Sequence, residues 1–376
     1  MAVRDPGDIA RALRASADKG DAEAQYRLGL LYASGQGVEQ DSRQALVWYR
    51  ESAEQGYAPA QCVLGNKYAL GQGVKQNYKL ACSWYLQAAE QGYARAQFRL
   101  GTLLEEGHVE ARDGMDAEYW YAQAADQGEG EALLRLAGLR ESRSGETDTA
   151  LYLKAAKMGV VEAHLKLARK YATGEGVEQD LSMAFDAYLK AARQGDLRAQ
   201  WNVARAYLKG AGVDADDAEA QKWLTKAAKA GFAPAQAALG LRYANGEGVA
   251  QSYSKARFLW ENAAKKGDAE AQHNLAYLHY SGLGVDKDLE RAESLYRQAA
   301  EQGVAEAQCM LGLIVGRGET REPDYVEAHK WFGLSADAGN QAGEANLKYA
   351  ESLMTPEQVA EGRRRKLEWL DAFRNR

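Results

Sequence analysis

The sequence predicts an all-α solenoid of antiparallel helix-turn-helix repeats, each 36 residues long. Three observations carry this prediction. A closing glycine recurs at Gly20, Gly56, Gly92, Gly128, Gly159, Gly195, Gly231, Gly267, Gly303 and Gly339, at intervals of 36, 36, 36, 31, 36, 36, 36, 36 and 36. Self-similarity of this strictness marks a repeat array. Inside each period, apolar residues return at helical spacing on either side of a glycine-bearing turn. Only 5 prolines occur in 376 residues, which suits a chain of helices and short turns. A globular chain of this length would divide into two or three domains, whereas a solenoid grows through neighbour contacts without a central core.

Residues 1–20 form an N-terminal half-repeat, with Ile9, Leu13 and Ala17 on one helical face. Nine repeats follow over 21–339. In the first, a helix runs from about Asp21 to Ser34 and carries Ala24, Leu28, Gly29 and Tyr32 on its inner face. Gly29 within a helix costs about 1 kcal/mol relative to Ala. Its return as Gly65, Gly101, Gly240 and Gly312, with Ala at 137, 168, 204 and 276, predicts a close approach of a neighbouring helix. The turn Gly35-Gln-Gly37-Val38 then stops the helix, because a residue with positive φ is the usual terminator. It repeats as Gly71/Gly73, Gly174/Gly176, Gly210/Gly212, Gly246/Gly248 and Gly282/Gly284. These glycines follow a helix rather than a strand, and no Lys-Ser/Thr follows them, so a phosphate loop is excluded.

The second helix of the repeat begins near Ser42 and carries Ala45, Trp48, Tyr49 and Ala53 on one face. The aromatic pair returns as Trp84-Tyr85, Trp120-Tyr121 and Trp331-Phe332, and in part as Tyr188, Trp223, Trp260 and Tyr296. All are assigned to packing between helices. The rule breaks in three places. The third repeat has an acidic turn, Glu105-Glu106-Gly107-His108-Val109-Glu110, expected to be solvated. The fourth, about 129–159, is shortened and offers residues 142–146 in place of the glycine turn. The ninth is irregular over 316–325. Residues 340–376 supply C-terminal capping helices, the last opened by Thr355-Pro-Glu-Gln358, a capping box with proline at the first position. Its basic run, Arg363 to Lys366, is read as the polar face of a terminal cap.

Net charge is −6, against the basic excess of a typical nucleic-acid binder. No window approaches a membrane span, and the first residues lack a secretory apolar run. The expected location is the cytoplasm, or the periplasm if an export signal has been removed. Cys62, Cys82 and Cys309 are too few for a disulfide framework. Cys62 and Cys82 flank one turn, so a pair and two buried thiols are both open.

The unit A-x-x-x-L-G-x-x-Y-x-x-G-x-G-V … A-x-x-W-Y-x-x-A-A-x-x-G, complete over residues 24–53, resembles the Sel-one-like repeat (SLR) family, kin of the tetratricopeptide repeat. The resemblance implies a right-handed superhelix whose members serve mostly as adaptors. It further implies that first helices line a concave groove, at positions equivalent to 23, 26, 30, 33 and 34, which vary from repeat to repeat. Tyr26 and Phe98 stand there. So do two clusters: Arg169, Arg198, Trp201, Arg205 and Lys209, basic around one aromatic, and His273, Tyr277 and Tyr280. Tyr, Trp and Arg are enriched in binding hot spots. An acidic or carboxylate-bearing peptide is the expected ligand.

The histidines include no H-E-x-x-H pair or Cys/His cluster, and no nucleophile motif occurs. The expectation is therefore a non-catalytic scaffold or adaptor for a partner protein or peptide, without cofactor, metal or nucleic acid. A bacterial regulator, a complex-assembly factor and a toxin-neutralising immunity protein are the roles the resemblance implies. The alternative is an enzyme or binding protein for a small anionic or cell-wall-derived ligand, of the β-lactam-binding kind.

Overall fold

The structure, a computed structural model, describes residues 6–111, 114–145 and 147–375. The first five residues, part of the targeting argument, and Glu146 of the fourth-repeat turn lie outside them. Every element among the described residues is a helix. The chain divides into two units, Met1–Asp180 and Leu181–Arg376. The first holds α1 (Pro6–Ala17), α2 (Ala22–Ser34), α3 (Ser42–Glu54), α4 (Ala58–Leu70) and α5 (Tyr78–Glu90). It continues with α6 (Ala94–Glu105), α7 (Ala117–Asp126), α8 (Gly130–Ser144), α9 (Thr149–Lys157) and α10 (Val161–Thr173). The second holds α11 (Leu181–Arg193), α12 (Leu197–Lys209), α13 (Asp217–Lys229), α14 (Ala233–Asn245) and α15 (Tyr253–Ala264). It ends with α16 (Ala269–Ser281), α17 (Leu289–Glu301), α18 (Ala305–Arg317), α19 (Tyr325–Asp337), α20 (Gln341–Leu353) and α21 (Pro356–Arg374). Within each unit each helix up to α20 packs on the next in sequence, and α21 turns back onto α19. Even-numbered helices from α2 onward open a repeat; odd-numbered ones close it.

Local chemistry sets the ends. Gly35, Gly71, Gly174, Gly210, Gly246 and Gly282 stop the opening helices in the left-handed conformation, as the sequence predicts. Asp41, Asn77, Asp116, Asp148, Asp216, Ser252, Asp288 and Asp324 accept backbone N–H bonds at the start of closing helices. Thr355 and Gln358 form the expected capping box.

The close approach predicted for the helical glycines is a ring laid on bare backbone. A Cβ on Gly65 would stand 2.6 Å from the Tyr85 ring, one on Gly101 2.8 Å from Tyr121, and one on Gly312 2.6 Å from Phe332. Gly29 meets Tyr49 and Gly240 meets Trp260 in the same way. The helix loses about 1 kcal/mol at each glycine and gains a buried ring contributing about 2 kcal/mol or more. The aromatic pair therefore splits. Its second member is buried except at the half-buried Tyr188, while the first is only half-buried at Trp48, Trp84 and Trp223, against the expectation that both are core. The reason is helical phase: neighbours in sequence stand about 100° apart, and only one can face the glycine.

A second device escaped the sequence reading. Gln25, Gln61, Gln97, Gln200, Gln236, Gln272 and Gln308 are all buried. Each donates through Nε2 to a carbonyl near the C-terminus of the preceding helix, at Ala17, Ala53, Ala89, Ala192, Ala228, Ala264 and Ala300, over 3.1 to 3.4 Å. Each of these carbonyls also accepts from the N–H of the closing glycine three residues on, so the glutamine takes its second lone pair and ties the opening helix to the end of the one before. In four repeats the ladder closes: Gln55, Gln91, Gln127 and Gln302 donate to the Oε1 of Gln25, Gln61, Gln97 and Gln272 at 2.6 to 2.8 Å. Positions 230, 266 and 338 hold Ala, Lys and Ala, and the oxygens of Gln200, Gln236 and Gln308 are left without partners.

The irregular repeats are repaired by charge. In the shortened fourth, Glu141 accepts from Thr147 Oγ1 at 2.6 Å, Tyr152 OH at 2.9 Å and the buried Lys170 ammonium. In the ninth, Glu293 gathers Thr320, Arg297 and Arg321. The third-repeat carboxylates are not simply solvated: Glu105 accepts from Tyr121 OH at 2.6 Å, because the irregular turn brings the end of α6 over the ring. On the last helix, Arg363, Arg364, Arg365 and Lys366 pair with Glu351, Glu361, Glu368 and Asp337, as a cap requires. Trp369 meets Trp331 edge-on and stacks on Phe373 at 4.6 Å.

Candidate interaction surface

Opening helices bury the face carrying glutamine, leucine and glycine, so the residues free to vary lie on the opposite face.

In the first unit, Tyr26 is half-buried between Tyr49 and Tyr57, with ring centroids 6.0 and 5.5 Å away, and Phe98 lies against Tyr121 at 5.8 Å. Both therefore share in packing as well as facing outward. Beside them lies a cavity of about 520 Å³, lined among others by Asn66, Tyr78, Arg99, Thr102 and Glu106. The irregular third turn closes over it, since His108 stacks on Tyr78 at 3.8 Å with planes 6° apart. Arg169, at the end of this unit, is exposed and stands 3.8 Å from Glu175. Cys62 is buried and Cys82 half-buried, and the two are not joined in a disulfide; burial pushes the Cys62 thiol up to about 11, so it is inert.

In the second unit, Trp201 is half-buried against the core under α12, and the Arg205 guanidinium lies over its ring at 5.9 Å. Lys209 is exposed one turn on, and Arg198 one turn back stands 3.7 Å from Asp196. The structure thus brings four of the five basic-cluster residues onto one helix. His273, Tyr277 and Tyr280 share α16. His273 is partly buried beside Tyr296, at 5.6 Å, and burial pushes its pKa down against the opposing pull of Glu306. It is accordingly neutral at pH 7, an aromatic rather than a cation. Tyr280 reaches Glu319 at 3.3 Å. Tyr277 is 48% exposed.

Tyr277 belongs to a series. Arg205, Leu241, Tyr277, Leu313 and Tyr349 occupy one position in five successive opening helices, 36 residues apart. Four of them are exposed, and Leu241 and Tyr349 count with Tyr277 among the exposed large apolar residues. Arg205 and Tyr277 are expected on the groove from the sequence; the same interval adds Leu241, Leu313 and Tyr349. Of the helices bearing them, α14 packs on α16 and α18 on α20.

Among the described residues, no group of three or more His, Cys, Asp and Glu could hold a metal ion, and no helix is long and apolar enough to cross a membrane.

A repeat pattern described as Sel1 repeat matches residues 22–57, 58–93, 94–129, 161–196, 197–232, 233–268, 269–304 and 305–340. The chain is similar to a protective antigen of uropathogenic Escherichia coli strains displaying an SLR fold. That similarity has 28% identity and a TM-score of 0.65, and covers 97% of this chain and 95% of that one. It is also similar to a Sel1 repeat protein from Oxalobacter formigenes, with 32% identity and a TM-score of 0.59, covering 84% of this chain and 94% of that one. An immunity protein from Pseudomonas aeruginosa is 24% identical, with a TM-score of 0.36, covering 64% of this chain and 88% of that one. No curated protein matches the sequence.

Proposed function

This chain belongs to the Sel1 repeat family, and from that premise we propose that it is a non-catalytic scaffold whose second unit holds an extended segment of a partner protein along its opening helices. Proteins of the family are in general protein-interaction scaffolds. The observation that carries the reading is the series Arg205, Leu241, Tyr277, Leu313 and Tyr349, one position per repeat, exposed in all but the half-buried Leu313. Scattered apolar residues on a surface need no explanation, but a contiguous apolar line marks an interaction site. Packed helices lie about 8–10 Å apart. A polyproline-II strand advances about 9 Å per three-residue turn and shows the same face at every third residue. A partner segment with an apolar side chain at every third position would meet Leu241, Tyr277 and Leu313 in turn. Arg198, Arg205 and Lys209 around Trp201 would hold an acidic group at its end, where charge-assisted bonds are strongest. His273 and Tyr280 flank the line. Tyr26, Phe98 and Arg169, in the first unit, are candidates for a separate contact.

A regulator, a complex-assembly factor and an immunity protein can each work through such a line. The partner chemistry, not the role, is what these residues favour. A small anionic ligand remains the competing class, and it would raise the melting temperature by mass action in a ligand panel.

The test is photo-crosslinking from position 241 or 277, with position 325, exposed on α19, as control. One partner protein should crosslink from 241 and 277 and not from 325. Leu241→Ala with Tyr277→Ala should weaken its binding tenfold or more while the helical signal is kept. Equal crosslinking from all three positions, or unchanged affinity in the double variant, would sink the reading.

A further inference from the structure

The glutamine ladder is broken next to a cavity. In the closed repeats two side chains complete each glutamine: Gln61 donates to Gln87 at 3.2 Å and accepts from Gln91 at 2.8 Å, and Gln272 donates to Gln298 at 3.3 Å and accepts from Gln302 at 2.7 Å. At Gln236 the corresponding positions hold Asn262 and Lys266. Asn262 is one methylene shorter and donates instead to the Phe258 carbonyl at 2.9 Å. Lys266 is drawn away to the Gly231 carbonyl. Gln236 is only 7% exposed, and its Oε1 has no hydrogen-bond partner. A buried acceptor left unpaired is costly, and it asks for a donor.

Gln236 and Asn262 both line a cavity of about 560 Å³. Its apolar wall is Leu239, Leu259 and Phe258, and Phe258 is 64% exposed. Two ammonium groups, Lys229 and Lys255, stand on its rim. Lys255 lies 5.0 Å from the Tyr243 ring centroid, and neither lysine makes an ion pair among the described residues. The cavity thus offers a buried acceptor, an apolar wall and a pair of unneutralised cations within one small volume.

We propose that this cavity binds the free C-terminal residue of a partner protein, with an apolar side chain. That group alone carries, on one carbon, the three features the site lacks. Its carboxylate answers Lys229 and Lys255, its amide N–H answers Gln236 Oε1, and its side chain packs on Leu239, Leu259 and Phe258. The site lies on α13, α15 and the far side of α14 from Leu241, so it stands or falls separately from the extended-segment reading.

The probe is acetyl-Ala-Ala-Leu with a free carboxylate, titrated calorimetrically into the full-length chain beside its C-terminal amide. The acid should bind saturably and the amide about ten- to hundred-fold more weakly, as the loss of charge-assisted bonds requires. Phe258→Ala, at an exposed position that spares the fold, should weaken the acid at least tenfold. Asn262→Gln with Lys266→Gln rebuilds the ladder of the sister repeats; it should raise the melting temperature and abolish binding. Absence of saturable binding by the acid, equal binding of acid and amide, or undiminished binding by the rebuilt variant would each overturn the proposal.

Discussion

A hydrogen atom in place of a methyl group decides how five of the nine repeats close. A methyl group added to Gly65 would stand 2.6 Å from two atoms of the Tyr85 ring. Overpacking of this kind costs about 1–3 kcal/mol, and a β-branched residue should cost more. Gly65→Ala should lower the urea midpoint of the first unit accordingly. Tyr85→Leu should relieve part of that loss, since Ala204 and Leu224, both fully buried, are the same pair solved with the bulk on the other side. A double-mutant cycle reads the coupling directly. The glycine was legible in the sequence as a close approach, but which aromatic fills it was not, because adjacent Trp and Tyr differ only in helical phase. Charge matters at Glu141. Burial would raise its pKa, but hydrogen bonds from Lys170, Thr147 and Tyr152 outweigh burial and hold it at about 2. A depressed carboxylate stabilises above its unfolded value of about 4.3, and that contribution is lost as pH falls toward 2. Glu141→Gln should therefore destabilise the first unit at pH 7 by about 3 kcal/mol, leaving Lys170 buried without its partner. Denaturant titrations should show the gap to wild type narrowing below pH 4.3; a gap that stays constant would refute the pairing.

Between helices, the glutamine ladder holds seven of the opening helices to the end of the one before. A buried donor–acceptor pair contributes about 1 kcal/mol net, and an orphaned oxygen costs about as much or more. Ala230→Gln should give Gln200 Oε1 the donor that Gln55, Gln91, Gln127 and Gln302 give elsewhere, stabilising the second unit by about 1 kcal/mol in urea denaturation. Gln91→Ala should destabilise the first unit by about 1–2 kcal/mol. The ladder stood in the sequence as a glutamine at a fixed place in seven repeats, but a polar residue at an inner position reads as a solvated one until its carbonyl partner is seen. Helix ends were better marked, because Asp41, Asn77 and Gly35 act on the nearest backbone groups and need no distant partner. The shortened repeat was legible as an irregularity and illegible as a repair: Glu141 and Lys170 lie 29 residues apart, and nothing local announces their bond.

Across the molecule, the periodic residues that pack and the aperiodic ones that face outward are written in the same interval. That is why the solenoid could be read from glycines alone, and why Tyr277 stood out as a candidate. Arg169 shows where such reading stops. It shares its repeat position with Arg205, but it lies in the first unit with Glu175 beside it, and period alone says nothing of neighbours. The glutamine ladder has a last consequence, for the editing of the chain. Each glutamine addresses a main-chain carbonyl, which every residue type supplies, so a repeat does not inspect the identity of the one it follows. Excising residues 58–93, one whole period, would join Gln55-Gly56-Tyr57 to Ala94 and reproduce the junction Gln91-Gly92-Tyr93-Ala94 residue for residue. Gln97 would then inherit the Ala53 carbonyl that Gln61 now holds. The shortened chain should fold, with undiminished helicity per residue by circular dichroism, whereas excising residues 63–93 should not. The array is a text from which whole lines can be cut without rewriting the next.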